Sequence, residues 1–80
     1  MTESEAIKLK GKHNLKSKSI KVQALKYHIV SDDIVRRDNP STWDVKLTCF
    51  EIDDKSKRKH PEVTVILWLS EIFNIYEIDE

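Results

Sequence analysis

The clearest pattern of apolar and polar positions is a strict alternation over residues 42–53, TWDVKLTCFEID. In an extended chain one side is apolar and consists of Trp43, Val45, Leu47 and Cys49. The other side consists of Asp44, Lys46, Thr48 and Phe50. A period of two residues is typical of a β-strand that buries one face. We therefore predict a strand here, with Cys49 as a small core residue.

A second pattern, VTVILWLSEIFNIYEI over residues 63–78, is apolar on both sides. The odd-numbered residues from Val63 to Leu69 fall on one side, while Ile66 and Trp68 fall on the other. The spacing beyond Ser70 also fits a helical turn, but β-branched and aromatic residues favour extended chain. We predict a final strand with a break near Ser70.

The first half of the chain gives weaker patterns. Residues 6–15, AIKLKGKHNL, alternate like a strand, and a helix over Thr2–Lys10 that stops at Gly11 is the alternative. Residues 20–30 alternate with a shift of one residue after Ala24, which predicts a single strand with a bulge.

Two polar segments separate these strands. Residues 31–42, SDDIVRRDNPST, are rich in turn-forming Asp, Asn, Pro and Ser, so we predict an irregular connection. Residues 54–62, DKSKRKHPE, predict the long polar loop of an antiparallel hairpin.

Together these patterns predict one mainly β domain over residues 1–80. We expect a single antiparallel, four- to five-stranded, twisted meander sheet or a small barrel, with little or no helix. A strand that is apolar on both sides must be covered on both sides, and no segment predicts a helix long enough to do so. Either the sheet closes into a barrel or a second chain covers it, and we favour a homo-oligomer.

The large apolar side chains of the last two strands are the candidates for a binding surface, because aromatic and aliphatic anchors dominate the energy of protein interfaces. The expected partner is another protein or an unfolded polypeptide. The candidate protein-binding residues are Trp43, Phe50, Ile66, Trp68, Ile72, Phe73 and Tyr76.

Charge supports a second interpretation. The net charge is zero, but residues 1–30 hold seven lysines and only two acids, whereas residues 61–80 hold five acids and no base. Clustered cations bind nucleic acid by releasing its counterions. The alternative function is therefore a nucleic-acid-binding domain that uses the basic N-terminal half and the loop up to His60. The loop cations are Lys55, Lys57, Arg58 and Lys59.

Catalysis finds little support, and we predict no enzyme, no metal and no cofactor. His13, His28 and His60 lie in three different segments without metal-binding spacing, and one glycine is too few for a phosphate-binding loop. The acid pairs at residues 32–33 and 53–54 are expected to be solvated turn residues.

Two further features concern location. A single cysteine favours a reducing compartment, so we expect a cytoplasmic protein. The longest uncharged run, residues 63–70, is far short of the ~20 residues that a membrane span needs, and no membrane partner is expected.

The order and texture of these segments resemble the sheet portion of SecB-like export chaperones and the related chaperones of toxin-antitoxin modules. The similarity lies in AIKLKGKHNLKSKSIKV followed by residues 42–78, with a last strand that ends in a small-residue step and an Ile-Phe pair. This chain has Ser70 and Glu71 where that family usually has Gly, and the family's C-terminal helices are not present in this sequence. The resemblance implies a twisted antiparallel sheet that associates through exposed strands or faces and binds another polypeptide.

Overall fold

The computed structural model describes residues 1–38 and 41–79. Within these ranges the chain forms two helices, α1 and α2, and five strands, β1 to β5. Their bounds in chain order are α1 Glu3–His13, β1 Ser19–Val22, β2 Leu25–Asp38, β3 Ser41–Ile52, β4 Val65–Trp68, α2 Leu69–Ile72 and β5 Tyr76–Ile78.

All five strands join one antiparallel sheet in the order β4-β3-β2-β1-β5. The predicted mainly β fold is therefore confirmed. The sheet is open, with β4 and β5 at its edges, so the barrel alternative is wrong. Strands β1 to β4 follow one another as a meander, whereas β5 pairs with β1 at the far edge. The chain between β4 and β5 must cross one face of the sheet.

The strand predicted over residues 6–15 is wrong, because most of these residues lie in helix α1. Thr2 caps α1 through a capping box, since its hydroxyl accepts the Glu5 amide and the Glu5 carboxylate accepts the Thr2 amide. The helix ends at Asn14, which adopts a left-handed conformation with φ of 47°. Alternation misled here because Ile7, in phase with the apolar set, is 54% exposed on the helix.

The single bulged strand predicted over residues 20–30 is instead a hairpin of β1 and β2. Val22 pairs with Leu25, and the two residues between them form the turn. Gln23 takes a positive φ of 57° in this turn, a conformation that tight hairpins require and that no glycine here supplies. A bulge does exist, but it lies at Val30, where the β2–β3 register shifts between Ile29 and Ser31.

The irregular connection predicted over residues 31–42 is also wrong for its described part. Strand β2 continues to Asp38 and pairs with β3 through Asp38 and Ser41. The turn formers in this segment are overridden because β3 supplies a partner for every strand position. Residues 39 and 40, the Asn-Pro of the predicted connection, lie outside the described residues.

The core lies on one side of the sheet, which we call the covered face. Helix α1 packs on β2 and β3, and helix α2 packs on β3 and β4. Ala6 of α1 and Leu69 of α2 are buried against the sheet. The buried sheet residues beneath them are Ile20, Tyr27, Ile29, Val45, Leu47 and Cys49.

The segment after Trp68 contains both structures considered for it, a helical turn and a strand. It forms the single turn of α2, with Leu69 and Ile72 buried in the core, and then the short strand β5. His13 at the end of α1 ties this crossover down, because its Nδ1 lies 2.5 Å from the Tyr76 hydroxyl. Together with α1, the crossover therefore forms the layer that packs on the covered face.

A buried carboxylate fixes where α2 begins. Asp44 is 1% exposed, although it alternates onto the face opposite the core. Its Oδ2 accepts the Arg37 guanidinium at 3.1 Å and the Ser70 hydroxyl at 2.5 Å, and its Oδ1 accepts the amides of Val45 and Ser70. Because a buried charge is tolerated only when it is paired and hydrogen-bonded, these four donors hold β2, β3 and α2 together.

We expect Asp44→Ala to lower the free energy of unfolding by about 3 kcal/mol, because it leaves the Arg37 guanidinium without its buried partner and α2 without its anchor. Urea unfolding measures the change. The matched control is Asp33→Ala, an exposed acid on β2, which should change stability by less than ~0.5 kcal/mol. Equal effects of the two substitutions would contradict the structural role of Asp44.

Candidate protein-binding surface

The side of the sheet away from the helices carries the candidate surface, which we call the open face. Every second residue of β3 points to this side of the sheet. Ile66 and Trp68 of β4 point to the same side, because they pair with Thr48 and Lys46 of β3. The buried helix residues, Ala6 of α1 and Leu69 and Ile72 of α2, belong to the core on the other side. The open face includes His28, Asp33, Val35 and Arg37 on β2, Lys46, Thr48 and Phe50 on β3, and Ile66 and Trp68 on β4.

The centre of the open face is apolar and accessible. Ile66 is 40% exposed, Phe50 and Trp68 are half-buried, and the bulge residue Val30 is exposed at the neighbouring strand. A contiguous exposed apolar area on a rigid sheet is a common feature of protein interaction sites. The two-sided pattern predicted for β4 is thus present, with Val65 and Leu67 facing the core.

Each of the two aromatic rings on this face is covered by an arginine. The Arg37 guanidinium lies 4.4 Å from the centre of the Trp68 ring, and that of Arg58 lies 4.6 Å from the centre of the Phe50 ring. The His28 ring also contacts Phe50, with centroids 5.3 Å apart. These cation–π contacts immobilise the rings and present positive charge beside them.

Arg58 reaches Phe50 because the hairpin loop is ordered by its own hydrogen bonds. The Asp53 carboxylate accepts the amides of Lys57 and Lys55, and these bonds lower the pKa of Asp53. The Arg58 guanidinium donates to the carbonyls of His60 and Val63. The loop therefore folds back toward the sheet and delivers the arginine to the open face.

The four predicted nucleic-acid-binding cations do not act alike. Lys59 forms an ion pair with Glu51 at 2.8 Å, which raises the pKa of Lys59, and Arg58 stacks on Phe50. Lys55 and Lys57 are exposed and form no ion pair with the described residues. Half of the predicted cationic cluster is thus used within the fold.

The seven predicted protein-binding residues divide into three places. Phe50, Ile66 and Trp68 lie together on the open face. Trp43 and Ile72 belong to the covered side, where Ile72 is a buried core residue and Trp43 packs against the core. The last two are Phe73, in the crossover, and Tyr76, at the start of β5. Both rings contact the His13 ring at the end of α1.

Sequence reasoning missed the cations that flank the open face. Arg37 fell in the predicted irregular connection, so its place on the same face of β2 as Val35 was not anticipated. Lys46 could be placed from the alternation of β3 but was not singled out. The acid pair at residues 32–33 also differs from expectation, since Asp32 is a buried strand residue rather than a solvated turn residue.

The histidines and the cysteine occupy separate environments. His13 contacts the crossover, His28 lies on the open face and His60 lies in the loop, 3.9 Å from Glu51. Cys49 is a core residue as predicted, and burial raises the pKa of its thiol to about 12. No group of three metal-binding side chains is found among the described residues.

Comparison with protein-family models, curated proteins and solved structures finds no match to this chain. The resemblance to SecB-like chaperones therefore stays a prediction. Neither α1 nor α2, the helices of the described residues, has the length and apolar character to span a membrane.

The environment of His13 predicts a pH dependence. Burial, assisted by the charge of Lys12, lowers the pKa of His13 below 6.5, and its buried Nε2 atom has no hydrogen-bond partner among the described residues. A histidine with a lowered pKa in the folded state stabilises the fold fully above its unfolded pKa, and this stability is lost as pH falls through the folded pKa. Acidification below pH ~6.5 should therefore weaken the hold of α1 on the crossover.

When the pH is lowered from neutral to mildly acidic, we expect the urea midpoint of the native protein to fall further than the urea midpoint of His13→Gln. The control is His60→Gln, which removes an exposed loop histidine that does not contact the crossover. Parallel profiles for the native protein and His13→Gln would contradict the assignment.

Proposed function

We propose that this chain is a noncatalytic protein-binding module, chaperone-like or a small inhibitor or antitoxin, that binds a polypeptide on the open face. The observation that carries the proposal is the exposed apolar centre of that face, Ile66 between the Phe50 and Trp68 rings, on a sheet whose opposite face is filled by α1 and α2. In keeping with the single buried Cys49, we expect the domain to work in the cytoplasm.

The geometry favours an extended partner. Strand β4 is an edge strand, so its outer backbone N–H and C=O groups have no partner strand within the described sheet. An added strand gains main-chain hydrogen bonds from such an edge and specificity from neighbouring side chains. Since β4 carries no charge between Val65 and Trp68, its edge has none of the charged residues that usually protect edge strands.

The same edge supports a proposal of self-association. Two β4 strands can pair in antiparallel fashion about a two-fold axis at Ile66 or Leu67, which brings the apolar residues of each copy opposite one another. The result is a continuous sheet across two copies. A homo-oligomer formed in this way occupies the β4 edge, so it excludes strand addition by a partner there, but it leaves the open faces of both copies accessible.

Nucleic-acid binding remains the second candidate because Lys55 and Lys57 project from the loop without an ion pair among the described residues. It is less well supported, since Lys59 is paired with Glu51 and the aromatic rings of the open face are covered by guanidinium groups. Base stacking needs free ring faces.

We expect Ile66→Ser to weaken binding of a fluorescent, reduced and carboxymethylated polypeptide about fivefold, the effect of losing about 1 kcal/mol of apolar contact. Fluorescence anisotropy measures the affinity. The matched control is Ile7→Ser on the outer side of α1, where the native side chain is 54% exposed, and it should bind normally.

Equal binding by the native protein and by Ile66→Ser would count against the open face as the binding site. The second candidate is favoured instead if the protein binds a single-stranded oligonucleotide with steep salt dependence and loses that binding on Lys55→Ser and Lys57→Ser together.

For self-association, we expect light scattering at micromolar concentration to give at least a dimer. The apolar edge of β4 supplies the contact, so the oligomer should persist at high salt. A monomer under these conditions would contradict the proposed pairing of β4 strands.

A further inference from the structure

The positive charges around the open face differ in whether the fold already neutralises them. Arg37 lies near two acids, Asp44 at 3.1 Å and Glu71 at 3.7 Å. By contrast, Lys46 and Arg58 have no carboxylate within 4.0 Å among the described residues. No ion pair among the described residues therefore neutralises Lys46 or Arg58, although Asp33 lies opposite Lys46 on β2 and Arg58 also donates to the carbonyls of His60 and Val63.

These two cations lie at opposite ends of the apolar centre. Lys46 precedes Phe50 by four residues on the same face of β3, and the Arg58 guanidinium lies over the Phe50 ring. Four residues of a strand span about 13 Å. Thr48 lies midway, directly opposite Ile66 on β4. The open face thus presents cation, apolar centre and cation in one line.

An extended polypeptide has the same repeat as the strand on which it lies. Residues two positions apart share a face, so side chains at the first, third and fifth positions of a segment are spaced like Lys46, Thr48 and Phe50. Carboxylates at the first and fifth positions match the two cations, and an apolar residue at the third matches Ile66. Charge-assisted hydrogen bonds to such carboxylates are stronger than neutral ones.

We propose that the open face binds an acidic extended segment in which two carboxylates flank an apolar residue, in the order acid, any, apolar, any, acid. This inference rests on the proposed function and names the chemistry of its partner. A polypeptide is favoured over nucleic acid because one face of each ring is covered by a guanidinium, which limits the stacking of bases on these rings.

The test uses a fluorescent synthetic peptide of about nine residues whose central segment is Glu-Thr-Val-Thr-Glu, flanked by threonine and serine. A second peptide carries Gln in place of both Glu residues, and a third carries Lys. We expect the Glu peptide to bind on the order of tenfold more tightly than the Gln peptide, and the Lys peptide not to bind measurably.

Lys46→Gln locates the charge contact. Two more peptides carry Gln at only the first or only the last Glu position. With Lys46→Gln, the Glu peptide should lose most of its advantage over one of these two peptides and keep its advantage over the other. The matched control is Lys21→Gln, a lysine on the same side of the sheet but on β1, which should retain the full preference. Circular dichroism confirms that both variants keep the native fold.

The outcomes separate this inference from the proposed function. If the Glu and Gln peptides bind equally and Ile66→Ser weakens both, the open face binds polypeptides but the acidic preference is wrong. If neither peptide nor the unfolded polypeptide binds, both proposals fail. Tighter binding of an oligonucleotide than of the Glu peptide, lost in Lys46→Gln, would overturn the choice of a polypeptide.

Discussion

The buried carboxylate of Asp44 constrains most of what this small domain presents to solvent. Its four hydrogen bonds come from Arg37 on β2, Val45 on β3, and the hydroxyl and amide of Ser70 on α2. A charge at 1% exposure is stable only with all of these donors in place, so the chain must turn into α2 immediately after Trp68. That turn puts Leu69 and Ile72 into the core.

The same interaction shapes the open face. Because Arg37 is held by Asp44, its guanidinium is fixed over the Trp68 ring, and the ring is ordered before any partner binds. At the other end the loop bonds of Asp53 and Arg58 do the same for Phe50. Ordering the anchors in advance reduces the entropy lost on binding. The surface is therefore rigid at both ends, with its accessible apolar residue, Ile66, between them.

Sequence patterns predicted β3 and the two-sided character of β4, because in both strands alternation reports burial directly. They failed where another signal competed. Over residues 6–15 the alternation was accidental, and the capping box of Thr2 and Glu5, with acids in the first turn and bases in the last, was the informative signal. Over residues 31–38, turn-forming side chains hid a strand that only pairing with β3 stabilises. The single-residue phase shift was real evidence of irregularity, but its cause is the hairpin turn at Gln23, and the bulge at Val30 lies beyond it.

The charged residues of the candidate surface could not be predicted in the same way, since charge density along a sequence differs from charge available on a surface. The loop cations form one cluster in sequence, yet Lys59 turns to Glu51 and Arg58 turns to Phe50 on the opposite side of β3. Conversely, Lys46 and Arg58 are twelve positions apart in sequence and flank one apolar centre. Which cations remain unpaired depends on strand register and loop folding, both tertiary properties. A chain with zero net charge can therefore present a locally positive face, and that local balance determines which partner the face can accept.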